Sequence, residues 1–203
     1  MEVIASAILL RVPPELSAKI SEWAKAHIKE EDLYNQEGKG LAKDHHITLA
    51  PQINDESATE HISSVMNNTP ALSPELGDIG FFVNPRPDKE YTVLKIAVDP
   101  AQLAPVREQV IKGISMYNPS HEFNPHITVA YLKPGACQDL DGDQTFKGMA
   151  CPIDSCIYSA ADGGPKFINL QPAPGPEQVE DGLVKSISSL RNLIIAKLSS
   201  RKA

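Results

Sequence analysis

Two five-residue stretches constrain this chain more than anything else in it. They are His46-Ile47-Thr48-Leu49-Ala50 and, 80 residues later, His126-Ile127-Thr128-Val129-Ala130. Both follow turn-forming sequence, and both consist largely of residues that favour extended backbone. Side chains alternate across a strand. His46 and Thr48 therefore share one face, with Ile47 and Leu49 on the other; His126 and Thr128 separate from Ile127 and Val129 in the same way. The apolar pair suits burial under helices. A His–Thr pair is a poor unit for a core, and using it twice points to a cleft. The chain has six histidines, so composition alone does not explain two of them heading near-identical pentapeptides.

The remaining pattern supplies elements to flank these strands. VIASAILLRV (3–12) reads as a buried strand that stops at Pro13-Pro14. The two prolines open a helix with Leu16, Ile20, Trp23 and His27 on one face. DLYNQEGKGLAKD reads as a loop, and ESATEHISSVMNN as a second helix. GDIGFFV and YTVLKIAV (91–98) form a hairpin around NPRPDKE. Asp99-Pro100 then starts a helix carrying Leu103, Val106, Val110 and Ile114. FNPHITVAYL (123–132) is the next strand, and FKGMACPIDSCIYSA and PKFINL read as strands too. Helices and strands alternate early, strands dominate late, and hairpins are present. The fold class expected is α+β, with mixed or antiparallel sheet flanked by helices.

Domain organisation follows from one break. Residues 1–170 make the main domain, the Pro-rich stretch 171–176 a linker, and 177–203 an amphipathic helix. That helix carries Val179, Leu183, Ile187, Leu190, Ile194 and Leu198 on a single stripe. The stripe needs a partner surface: its own domain, a second copy or another protein.

The formal net charge is −7 and the pI about 5.3. Long nucleic acid is held mainly by Lys and Arg on its phosphates, which excludes it as the expected partner here. A small nucleotide needs only local positive potential. Cys137, Cys151 and Cys156 match no zinc or redox spacing and read as reduced thiols in a cytoplasmic protein. The apolar start lacks a basic leader and a cleavage site, and no apolar run is long enough to span a membrane.

The repeated motif suggests a chemistry. Breaking a phosphodiester without a metal takes a base to activate an oxygen nucleophile and an acid to protonate the leaving oxygen. Histidine is the side chain whose ordinary pKa lets one copy be neutral and the other charged near neutrality. Threonine hydroxyls donate to the non-bridging oxygens as charge grows on them. Two strands related by a pseudo-two-fold axis would set the rings on opposite sides of the phosphorus.

The paired HITLA and HITVA segments resemble the His-x-Thr/Ser motifs of the 2H phosphoesterase superfamily. This group includes bacterial 2′,5′-RNA ligase-like proteins, cyclic-nucleotide phosphodiesterases and phage anti-CBASS nucleases. The resemblance implies a bilobal fold of two pseudo-symmetric lobes around a cleft, with no metal or other cofactor. It also implies His46 and His126 as acid and base, and Thr48 and Thr128 as substrate-binding residues. FNPHITVAYLKPG is most similar to the anti-CBASS branch, which implies a cyclic oligonucleotide substrate and, for a phage protein, the host cytoplasm. A 2′,3′-cyclic phosphodiesterase acting on RNA ends is the alternative, and a non-catalytic nucleotide-binding module is a second.

Other residues have more ordinary readings. His45 alternates to the face opposite His46, so the two are not expected to share a metal. His27, His61 and His121 read as surface or packed histidines. Tyr131 falls by parity with Ile127 and Val129 and is expected on the apolar face. Tyr34, Phe82 and Tyr117 stand near loops as possible stacking platforms, with core packing favoured for Phe82. Lys43 and Lys133 flank the motifs and read chiefly as solvated lysines.

Overall fold

The computed structural model describes residues 6–36, 39–53, 55–82, 90–115, 117, 122–159 and 164–172. The described residues up to Gln171 make one compact unit. The expected linker beyond 172, the helix at 177–203 and His121 lie outside the described residues.

Seven strands form one sheet: β1 (Ser6–Arg11), β2 (His46–Ile53), β3 (Leu76–Phe81), β4 (Thr92–Val98), β5 (His126–Leu132), β6 (Ser155–Ser159) and β7 (Pro165–Asn169). Their spatial order is β3-β4-β5-β2-β1-β6-β7, and every neighbouring pair is antiparallel. The α+β class with antiparallel sheet is the fold found. The expected hairpin is there as β3 and β4, with residues 83–89 between them outside the described residues. The stretch 146–159 is a strand only in its last third. Gly148 at φ +77° and Pro152 interrupt extended pairing before Ser155.

Among the described residues three α-helices pack against the sheet or one another: α1 (Pro14–His27), α2 (Thr59–Asn67) and α3 (Leu103–Lys112). Pro14 occupies the first turn of α1, where its missing N–H costs nothing. Leu16, Ile20, Trp23 and Ala24 are buried from α1, Ile62 and Met66 from α2, and Leu103, Val106 and Val110 from α3. His27 stays exposed but stacks on Trp23, with centroids 4.6 Å apart. The helices cross over: α1, which follows β1, packs on β5, while α3, which follows β4, packs on β2. One apolar core runs through all of them, with Ile47, Leu49, Ile127 and Val129 fully buried.

The two motif strands are neighbours, yet they share a single paired position, Ile47 with Ile127. The reason is a competing segment. Residues 33–34 and 40–42 run along β5 instead, through Leu33–Leu132 and Leu41–Ala130 bridges and a Tyr131 N–H donated to the Gly40 carbonyl. This wedge parts β5 from β2 on one side of the isoleucine pair. Gly40 makes the turn possible. Its φ is +118°, and a Cβ there would overlap Asn35 Oδ1.

Gly40→Ala should therefore cost more stability than Gly135→Ala, whose positive φ comes with open space around a Cβ. The second variant should lose roughly 1 kcal/mol, the usual penalty for a side chain in this region, and the first clearly more. Chemical denaturation of both variants checks the order.

Candidate active site

Each motif histidine opens its strand and makes the same backbone contact. Nδ1 of His46 lies 2.8 Å from the carbonyl oxygen of Asp44, and Nδ1 of His126 lies 2.8 Å from that of Asn124. A carbonyl only accepts, so Nδ1 carries the proton and donates in both rings. Nε2 is then the nitrogen available to take up or release a proton.

Continuing the Ile47–Ile127 register by one residue each way sets His46 across from Thr128 and Thr48 across from His126. All four side chains are part-exposed, while the isoleucines between them are fully buried. The two motifs are thus related by a pseudo-two-fold axis through the isoleucine pair. A cavity of about 280 Å³ opens beside His46 and Thr128, bounded further by Lys39, Leu41, Ala42, Lys43, Asp44 and Tyr131. His126 and Thr48 lie outside its lining, across the axis, but the charge of His46 still bears on His126.

The halves match in backbone and differ in surroundings. Burial is the main influence on His126 and pushes its pKa below the ordinary histidine value; the charges of Lys95 and His46 act in the same direction against the Asn124 hydrogen bond. Lys95 is the residue that sequence reading missed. It pairs with Thr128 across β4–β5 and so belongs to the same face. Burial lowers its own pKa, with Asp141 opposing, and its Nζ lies 5.2 Å from the centre of the Phe82 ring. Phe82 in turn meets His126 edge-on, with centroids 4.5 Å apart. The core placement favoured for Phe82 is thus wrong: the ring is part-exposed and flanks the site. Its position just past the end of β3 releases it from that strand's buried set.

Tyr131 corrects a second expectation. It is part-exposed and lines the cavity rather than sharing the apolar face of Ile127 and Val129. The reason is a β-bulge: Lys95 pairs with Thr128 but Leu94 with Ala130, so Val129 is an extra residue and alternation skips a beat. The first motif does the same. Leu9 pairs with Thr48 and Ile8 with Ala50, leaving Leu49 extra.

Other placements follow the sequence reading more closely. His45 is buried with Nδ1 2.8 Å from Ser17 Oγ, away from the face of His46. His61 bonds the carbonyls of Gln109 and Val110 and ties α2 to α3. Lys43 lines the cavity, whereas Lys133 donates to the Glu31 carbonyl at 2.6 Å. Tyr34 lies in an aromatic cluster with Tyr91, and Tyr117 sits under Arg107 instead. Burial pushes the Cys151 and Cys156 thiols up to about 11 and about 12, which leaves neither as a nucleophile. Among the described residues no three His, Cys, Asp or Glu side chains converge as a metal site, and no helix is long and apolar enough to cross a membrane.

A fold and paired motifs of this kind define a 2H phosphoesterase. The family model of the 2′-5′ RNA ligase superfamily matches residues 12–148, more than half of the chain, and the chain belongs to that superfamily. It is accordingly a phosphodiesterase of the 2H type. The fold is similar to that of Escherichia coli LigT in its apo form, at a TM-score of 0.56 and 17% identity over 84% of this chain and 98% of that one. It is also similar to TT0787 of Thermus thermophilus, with a TM-score of 0.53 and 15% identity over 83% and 96% of the two chains. Kluyveromyces marxianus Usb1 with uridine monophosphate gives 0.53 and 13% over 82% and 98%. Sequence comparison with curated proteins gives no match.

Two histidines set a pH dependence of stability. His45 and His126 both have folded pKa values below the ordinary 6.5. The unfolded chain then binds more protons than the folded one as pH falls through 6.5, so stability is lost on acidification. Thermal unfolding between pH 7.5 and 5 should show a falling midpoint, with a shallower fall in a His45→Gln variant.

Proposed function

We propose that this protein is a metal-independent phosphodiesterase that cleaves an RNA-like phosphodiester in a small nucleotide, using His46 and His126 as its acid and base. The observation that carries the reading is the matched hydrogen bonding of the two rings. Each has Nδ1 committed to a carbonyl two residues back, on strands related through one isoleucine pair. Fixing both tautomers in this way leaves two Nε2 atoms to serve one phosphorus from opposite sides. Thr48 and Thr128 supply hydroxyls that donate to the non-bridging oxygens.

The surroundings support a division of roles. Burial and the neighbouring Lys95 charge favour the neutral form of His126, which supports it as the base and leaves the acid role to His46. His126 Nε2 takes the proton of a ribose 2′-hydroxyl as that oxygen attacks phosphorus. The bond to the leaving 5′-oxygen breaks, and His46 Nε2–H protonates it. The products are a 2′,3′-cyclic phosphate and a free 5′-hydroxyl. Lys95 lies on the same face as Thr128 and adds positive charge where the phosphorane develops it as anion.

Within this class the lead substrate is a 3′,5′-cyclic oligonucleotide, a reading supported by the FNPHITVAYLKPG segment and by an acidic protein with a small cavity. Action on RNA ends is the second reading. It is favoured by the family match and by similar folds solved with nucleotides, E. coli LigT with 3′-AMP and Usb1 with uridine monophosphate.

His46→Ala and His126→Ala should each lower turnover by at least about 100-fold while leaving the thermal midpoint near that of the parent, and EDTA should not inhibit the parent. Incubation with cyclic di- and trinucleotides and with 2′,3′-cyclic mononucleotides, read by mass spectrometry, assigns the substrate. Full activity in His126→Ala sinks the mechanism. The acid limb of the kcat/KM profile should lie below pH 6.5 and move upward in Lys95→Gln.

A further inference from the structure

The rows of paired residues that carry the motifs do not stop at β2. Cross-strand partners point to the same side of a sheet, and the register carries the motif face on as far as β7. Thr48 pairs with Leu9, Leu9 with Ile157, and Ile157 with Phe167. In the next row His46 pairs with Arg11. Leu10, Cys156 and Ile168, which alternate with these residues along β1, β6 and β7, are buried on the other side. Leu9 and Ile157 are part-exposed, Arg11 is exposed, and Phe167 keeps 67% of its surface open. Phe167 is therefore no isolated apolar residue at the surface but the end of a strip that begins at Thr48. Arg11 reaches over β6 to it, with the guanidinium carbon 5.9 Å from the ring centroid. Among the described residues no carboxylate pairs with that guanidinium.

We propose that this strip is an accessory subsite for an oligonucleotide, in which Arg11 holds a phosphate beyond the scissile one and Phe167 stacks the base next to it. The inference rests on the catalytic reading above for where the scissile phosphate lies. Continuity is the first argument: Arg11 is the cross-strand neighbour of His46, so the strip starts where the motifs end. Span is the second. Three strand spacings separate Thr48 from Phe167, about 14 Å, which is farther than the base of a nucleotide joined to the scissile phosphate extends. The third argument is chemical. A guanidinium offers a planar fork of donors that matches phosphate oxygens, and an open aromatic ring beside it offers a face to a base. An apolar protein segment would use Leu9, Ile157 and Phe167 but leave the charge of Arg11 unmatched. With one arginine on the strip and a net charge of −7 over the chain, the grip covers a short stretch of nucleotide and not a long strand. A base stacked on an open ring keeps its edges in solvent, so any base is accepted. A linear RNA end and a cyclic oligonucleotide both carry a phosphate and a base beyond the scissile linkage; the straight run of the strip away from the motifs suits the linear form better.

Isothermal titration of the full chain with 2′-O-methyl oligouridylates, which lack the nucleophile and stay whole, tests this. The tetranucleotide should bind about 10-fold tighter than the dinucleotide, the worth of one base on one ring. Phe167→Ala should remove that gain and leave the dinucleotide unchanged, whereas Phe167→Trp should keep it. Arg11→Gln should weaken the tetranucleotide and reduce the slope of log affinity against log salt by about 0.7, as for one phosphate contact on a single strand. A cyclic triuridylate methylated in the same way separates the two sources: a loss in Phe167→Ala for the tetranucleotide alone assigns the subsite to linear RNA, and a loss for the cyclic probe alone assigns it to cyclic oligonucleotides. Equal affinity of the parent for two and four nucleotides overturns the subsite, as does a loss in Phe167→Ala shared equally by both lengths. Length-dependent binding through Phe167 in a protein that cleaves no unmethylated diester keeps the subsite and removes the catalytic reading. Cleavage of di- and tetranucleotides with equal KM does the reverse.

Discussion

One backbone pairing, Ile47 with Ile127, joins the two halves of the sheet. The site depends on its being single. More pairs would zip β2 to β5 along their length and close the space between their polar residues. With none, the two motifs would have no fixed separation. Holding so thin a seam falls to packing. Both isoleucines are fully buried, and α1 and α3 each cross to the strand of the opposite half. Apolar burial worth about 2 kcal/mol per large side chain thus takes the place that a hydrogen-bond ladder has elsewhere in the sheet.

Symmetry and its breaking divide the labour at the centre. The motifs repeat a histidine tautomer lock, a hydroxyl two residues on, and a bulge at the fourth residue. What surrounds them does not repeat. Lys95 and Phe82 crowd His126, whereas a loop carrying Lys39 and Lys43 borders His46. A diester presents chemically different oxygens on its two sides, so identical environments would leave the enzyme with no preference for direction. The unequal neighbours act on His126, where burial and the Lys95 charge favour the neutral ring.

The strands, the α1 and α3 faces and the four motif side chains were legible because each is encoded locally, by period-two alternation or by apolar spacing of three and four. What was missed arises from pairing between distant segments. Lys95 reaches the site only because β4 lies beside β5, a neighbour relation that the alternation within YTVLKIAV does not express. The wedge of residues 33–34 and 40–42 was legible as a loop but not as the partner of β5. Tyr131 is a different case, since a signal was present: Val129-Ala130 and Leu49-Ala50 each place two apolar residues in succession where strict alternation allows one. Both pairs are buried, and the doubled position is the bulge itself. The segment 146–154 misled for the opposite reason, its apolar residues pairing as isolated bridges at Ala150 and Ile153 instead of a strand.

The doubled positions locate where each strand can change length and where it cannot. Val129 is the residue that β4 leaves without a partner, so removing it would set Thr128 directly before Ala130 and keep Tyr131 on the site face and Leu132 in the core. Removing Ile127 would instead turn His126 to the opposite side of the sheet from Thr128. Lost codons at Leu49 or Val129 should therefore be tolerated among descendants of this chain far better than lost codons at Ile47 or Ile127. A gap at either isoleucine in a related sequence would mark a protein that has given up the site.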